Sequence, residues 1–278
     1  MRRLDGFRDI AGEYDGFIVD LWGVLHDGVT PYPGAVACLE ALRGAGKRVV
    51  LLSNAPRRVA AAQAAMHAIG IRDDLYDALM TSGEATHLAL RDRTDPWFAA
   101  LGRRVYHLGP MRDRNVIDGL DLSLATEPAA ATFLLNTGPD DERDPTDMTA
   151  FEDELQACLR AGLPMVCANP DLEVIRGGVR VLCAGALAAR YQVLGGAVRS
   201  IGKPDPAIYE LVFALLDLPG DRVLAVGDSL RTDIAGAAAA GISAVWVLGG
   251  IDGDPDAPDT PARQAGAEPV AAIHGFVW

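Results

Sequence analysis

Asp20 ends the apolar run "GFIV", Ser53 and Asn54 end "RVVLL", and Asp228 ends "RVLAVG". In an open parallel sheet, ligands bind beyond the carboxyl ends of the strands, so residues at such ends converge on one edge. Asp233 follows in "GDSLRTD", at the turn into a helix, where it can join Asp20 and Asp228. Three close carboxylates repel one another unless they share a positive charge. Mg²⁺ answers that need, taking a few carboxylate oxygens and completing its octahedron with water and a phosphate oxygen. Lys203 in "GKPDP" offers a compact cation for a carboxylate and a phosphoryl oxygen. The Ser53 hydroxyl, with Asn54 and backbone N–H groups at an expected helix N-terminus, could hold further phosphate oxygens. Any one of these residues alone reads as a cap or turn former. Their occurrence together, in order and at strand ends, points to a site.

The elements that must position them alternate. "GFIVD" and "KRVVLLSN" are strands, and the alanine-rich "GAVACLEALRGAG" and "PRRVAAAQAAMHAIG" are helices ending in glycine, the second with proline in its first turn. These pieces give a right-handed βαβα start. The rhythm resumes with "DPAIYELVFALLDL" (helix), "RVLAVGD" (strand), "RTDIAGAAAAG" (helix) and "ISAVWVLGG" (strand). The expected fold is α/β, a doubly wound parallel-sheet Rossmannoid core. Between them "RVYHLG", "AATFLLNTG" and "LPMVCANPD" are strands, with helices near "SGEATHLAL" and "PTDMTAFEDELQACLRAG". That block is self-sufficient, so the expected division is a core of residues 1–80 and 196–278 and an inserted α/β domain of residues 81–195. Trp97, Phe98 and Tyr106 read as core of the insert. The tail "GGIDGDPDAPDTPARQAGAEP" reads as irregular and lacks EF-hand spacing.

Composition removes several alternatives. The chain has 278 residues, half of them apolar, enough for one large core and a second smaller one. A formal net charge of −13 argues against a nucleic-acid surface, which must be locally basic, and favours a small substrate. Cys38, Cys158, Cys167 and Cys183 lack metal-ligand spacing and read as buried, reduced thiols. Neither a signal peptide nor a run of about 18 apolar residues is present, so no membrane is expected and a cytoplasmic location follows.

In order, Asp20, "LLSN" with Ser53, "GKP" with Lys203, and "GDSLRTDIAGA" with Asp228 and Asp233 resemble the four motifs of the haloacid dehalogenase-like hydrolase superfamily. "GVL.DG....PGA" and "CANPD" followed by "GAL...Y....GG.....GKP" resemble its subclass IIA, which inserts a large α/β cap between the second and third motifs. The resemblance spans essentially the whole chain. It implies Asp20 as nucleophile forming an aspartyl phosphate, Ser53 as a phosphoryl-group ligand and Lys203 as the cation on Asp20. It also implies Mg²⁺ bound through Asp20, Asp228 and the Trp22 backbone carbonyl, with Asp233 binding the metal directly or positioning its waters and Lys203. The implied substrate is a small phosphorylated metabolite, such as a sugar, nucleotide or aryl phosphate, and cap-to-cap pairing would give a homodimer. In the cap-to-core return "NPDLEV", Asn169 and Asp171 are candidate substrate ligands, and Arg57 could face an anionic substrate.

Position 22 departs from the family. Its phosphatases carry a second Asp there, which protonates the leaving alcohol and then activates water. An indole N–H does not ionise near neutral pH and cannot shuttle that proton, help worth roughly 10²–10⁴-fold. His26 and Asp27, in the following loop, are the nearby substitutes, with His26 able to titrate near neutrality. Two other readings stay open: a non-catalytic or very slow phosphometabolite-binding sensor, and a hydrolase acting on a non-phosphoester bond.

Overall fold

A computed structural model describes residues 1–252 and 268–278. The chain first lays down β1 (Arg2–Arg3), α1 (Arg8–Ala11), β2 (Gly16–Val19), α2 (Ala35–Gly44), β3 (Arg48–Ser53), α3 (Val59–Ala68) and β4 (Ala78–Thr81). It then leaves to build α4 (Ser82–Asp92), α5 (Pro96–Ala99), β5 (Arg104–Leu108), β6 (Ser123–Leu124), β7 (Phe133–Asn136), α6 (Glu152–Arg160), β8 (Met165–Cys167), β9 (Glu173–Arg176), β10 (Val179–Leu182), α7 (Ala184–Val193) and β11 (Val198–Ser200). It returns with α8 (Pro206–Leu216), β12 (Val223–Gly227), α9 (Ala235–Ala239), β13 (Ser243–Val247) and β14 (Ala271–Ile273).

The first and last groups form one seven-stranded parallel sheet in the order β1-β14-β13-β12-β2-β3-β4. Side chains alternate across its strands because the pleat has period two. Phe17, Val19, Val49, Leu51, Leu224 and Val226 point to one face, where α2 and α3 add Leu39, Leu42 and Met66. Ile18, Val50, Leu52, Val223, Ala225 and Trp246 point to the other, where α8 adds Ile208, Tyr209, Val212 and Leu216. The expected doubly wound core is present. Chain order reverses between β2 and β12, the switch point where such sheets open a crevice.

The inserted block has its own five-stranded parallel sheet, β11-β8-β7-β5-β6, covered on one face by α6 and α7 and on the other by α4 and α5. Its sheet takes in Val198–Ser200, beyond the expected boundary at residue 195. Phe98 is buried there, and Trp97 and Tyr106 pack against the same apolar clusters. All four cysteines are free and buried.

Three local expectations change. α3 begins at Val59, because the Val59 N–H is capped by the Glu84 carboxylate at 3.1 Å and the Arg58 N–H by Asn115 Oδ1 at 3.1 Å; Pro56 and Arg57 therefore lie in a loop before it. The segment after Asp228 starts as a π-helical turn, Leu230–Ile234, before α9. β9 and β10 form an antiparallel hairpin next to the expected return turn. Of the tail expected to be irregular, residues 253–267 lie outside the described residues, and no helix among the described residues is long and apolar enough to cross a membrane.

Candidate active site

β2 is buried along its whole length, and the Asp20 N–H extends its ladder by donating to Val226 O at 2.9 Å. The registers Val19↔Leu51 and Val226↔Val19 bring Asp20, Ser53 and Asp228 to one sheet edge. The loop after β11 delivers Lys203 beneath them. Its ammonium donates to Asp20 Oδ1 at 2.7 Å, Asp233 Oδ1 at 2.7 Å and Leu52 O at 3.2 Å, which uses all three of its N–H bonds. Asp20, Asp228 and Asp233 each place a carboxylate oxygen within 4.8 Å of the others. Asp228 Oδ2 accepts the Ile251 N–H at 2.7 Å, and Asp233 Oδ2 accepts the Ser229 N–H at 3.1 Å. Gly23, at φ +77°, leaves room for this: a Cβ there would lie 1.9 Å from Asp228 Oδ2.

Burial, then the neighbouring Asp233, pushes the Asp20 carboxyl up to about 7 against the pull of Lys203. Burial, then Asp20, pushes Asp228 well above the carboxylate range. For Lys203, burial works against the charge, yet Asp20 and Asp233 outweigh it and hold the ammonium protonated. With all three carboxyls ionised, one ammonium leaves two negative charges uncompensated, a repulsion that adds to burial in raising the proton affinity of Asp20 and Asp228. An all-oxygen donor set with that deficit fits a hard divalent cation such as Mg²⁺.

Ser53 is buried, its Oγ accepting the Ala55 N–H at 3.2 Å, so its own O–H remains available as a donor. Helix α3 starts beyond this loop, so the loop itself, and not a helix N-terminus, surrounds Ser53. Asn54 is fully engaged elsewhere. Its Nδ2 donates to Asp171 Oδ1 at 2.8 Å and Lys203 O at 3.1 Å, while its Oδ1 accepts from Lys203 N at 2.8 Å and Ser82 Oγ at 3.1 Å. Both amide hydrogens are spent, so for the phosphate expected at Asn54 only its backbone N–H is left to offer. It fastens the turn after β8 to the core. Asn169 serves that turn too, its Oδ1 accepting the Asp171 N–H at 2.9 Å.

His26 is buried, and its Nδ1 accepts the Gly28 N–H at 2.9 Å. Burial lowers its pKa to about 4, so it is neutral at pH 7 and ill suited to the proton donation expected of it. Asp27 Oδ1 is likewise committed to the Val29 and Thr30 N–H groups, at 2.9 and 2.8 Å. The Trp22 ring meets His26 edge-on, with centroids 5.4 Å apart, and lies over Gly28, where a Cβ would come within 2.1 Å of it.

Two cavities, of about 440 and 670 Å³, open on this edge, and Asp20, Trp22 and Asp171 line both. The first is also lined by Ser53, Asn169 and Arg57. Arg57 faces the cap's Asp113 at 3.2 Å without hydrogen-bond alignment, a pair the sequence reasoning missed because the two lie in separate domains. It missed Asp252 as well, whose Oδ2 accepts from Ser229 Oγ and Leu230 N at 2.9 Å each and ties down the loop after Asp228.

Residues 17–123 match a family model described as haloacid dehalogenase-like hydrolase, and residues 200–271 match a HAD-hydrolase-like model. A haloacid dehalogenase-like hydrolase from Brucella suis 1330 superposes with a TM-score of 0.86 at 32% identity, covering 99% of this chain and 100% of that one. D-glycerol 3-phosphate phosphatase of Mycobacterium tuberculosis is 31% identical over 258 residues, 90% of this chain and 67% of that protein. Human chronophin is 29% identical over 256 residues, 88% of this chain and 84% of that protein. With that agreement over nearly its full length, and the four motif positions gathered at one sheet edge, the chain belongs to the haloacid dehalogenase-like hydrolases.

Proposed function

We propose that this hydrolase is a Mg²⁺-dependent phosphatase of small phosphate monoesters that works through an aspartyl phosphate on Asp20. One observation carries the reading: Asp20 lines both cavities, its Oδ1 is held by Lys203, and its Oδ2 accepts no hydrogen bond among the described residues. A carboxylate fixed at one oxygen and open at the other presents an oriented nucleophile. A relative named as a phosphatase, D-glycerol 3-phosphate phosphatase, supports the same substrate class.

In this reading Asp20, Asp228 and Asp233, with the Trp22 carbonyl, hold the Mg²⁺, which when bound neutralises charge on the phosphoryl oxygens. Lys203 keeps Asp20 in place and adds a fixed positive charge beside the attacking oxygen. The Ser53 hydroxyl donates to a phosphoryl oxygen, and Arg57 borders the path of the leaving group. Catalysis then rests on positioning and charge balance, as phosphoryl transfer requires. The test is Mg²⁺-dependent phosphate release from p-nitrophenyl phosphate, whose leaving group needs little protonation. Wild type should turn over, and Asp20→Asn should lose at least about 10³-fold. Equal rates in the two proteins, or none in wild type, would reject the reading.

A further inference from the structure

Resting on that reading, we propose that Asp171 performs the proton transfers that position 22 cannot. The carboxyl lies on the cap's return turn, on the wall shared by both cavities with Asp20 and Trp22. Asn54 Nδ2 holds Oδ1 at 2.8 Å, and Oδ2 has no hydrogen-bond partner among the described residues. Asn54 also grips the backbone of Lys203 on both sides, so one side chain ties Asp171 to the cation that orients the nucleophile. Further anchors fix the turn: the Arg231 guanidinium donates to Pro170 O at 2.8 Å, and the Gly185 N–H to Asp171 O at 3.0 Å. Burial raises the proton affinity of Asp171 against the nearby Lys203. A carboxyl in such surroundings suits a general acid.

The neighbouring alternatives are committed elsewhere. His26 is neutral with its Nδ1 engaged, Asp27 is half-buried and pinned within its own turn, and Asp113 faces Arg57. In the first step the Asp20 Oδ2–phosphorus bond forms as the ester P–O bond breaks, and the proton on Asp171 Oδ2 passes to the departing alkoxide oxygen. In the second, the Asp171 carboxylate takes a proton from the water that attacks phosphorus. This releases phosphate, frees the Asp20 carboxylate and reprotonates Asp171.

The experiment measures kcat/KM, which reports only steps up to alcohol release, for the full chain with Mg²⁺ on a series of substituted phenyl phosphates and on glycerol phosphate. With an acid in place, the wild-type rate should depend only weakly on leaving-group pKa. In Asp171→Asn, which keeps an oxygen for Asn54, the dependence should steepen: roughly 10²–10³-fold lost on glycerol phosphate and less than tenfold on p-nitrophenyl phosphate. Adding Trp22→Asp should recover at least tenfold on glycerol phosphate. A steep wild-type dependence, or equal losses on both esters, would overturn the role of Asp171 and leave the phosphatase reading intact. An absence of Asp20-dependent turnover would overturn both.

Discussion

Asp228 is costly to the fold by itself, and the proposed function gives the reason to keep it. Its carboxylate is buried beside two others, and Lys203 reaches only Asp20 and Asp233. Removing that charge should therefore relieve repulsion and desolvation in the metal-free protein. Asp228→Asn, which retains an oxygen for the Ile251 N–H, should raise metal-free stability by about 1–2 kcal/mol. On the proposed function, Mg²⁺ should raise the Tm of wild type but not of Asp228→Asn, a difference that thermal melts with and without the ion would read. That Asp20, Asp228 and Asp233 would gather with Lys203 was legible from sequence because strand ends are marked by apolar runs breaking at polar residues. The duties of Asn54 and His26 were not, since their partners Asp171, Ser82 and Lys203, or the burial under Trp22, come from contacts that no local pattern records.

At the scale of elements, what periodicity marks is what could be read. β2, β3, β12 and β13 carry apolar side chains on both faces and stand out as buried strands. The hairpin β9–β10 has no buried face and gave no such signal, and β14 is too short to separate from loop. The start of α3 was misplaced for another reason: its caps come from Glu84 and Asn115 in distant segments. The strap at residues 169–171 is likewise tertiary, and Asn54 is its fastening to the core. Asn54→Ala removes four hydrogen bonds and leaves buried polar groups of Lys203 and Ser82 unpaired. A loss of about 2–4 kcal/mol in urea unfolding is expected. Activity should fall as well, because Lys203 loses the clamp on its backbone. A stability within about 0.5 kcal/mol of wild type would show that the strap is held without Asn54.

For the whole molecule, buried carboxyls and buried histidines answer pH in opposite directions. The core's clustered acids Asp20 and Asp228 have raised proton affinity, so folding takes up protons there and acid relieves their repulsion. The cap's His107 runs the other way. Its Nε2 meets Thr137 Oγ1 at 2.8 Å, and burial lowers its pKa from 6.5 to about 4. The unfolded chain then binds a proton below pH 6.5 that the folded chain refuses until about pH 4, so its contribution is complete above 6.5 and lost on the way down. Between pH 7 and pH 5 a single such histidine costs about 2 kcal/mol. Because the opposing core acids are shared, the difference between wild type and His107→Gln isolates this term. Glutamine can still reach Thr137 but does not titrate. Wild type should thus lose about 2 kcal/mol more unfolding free energy than His107→Gln across that interval. Parallel curves would mean that the cap admits the protonated ring without cost.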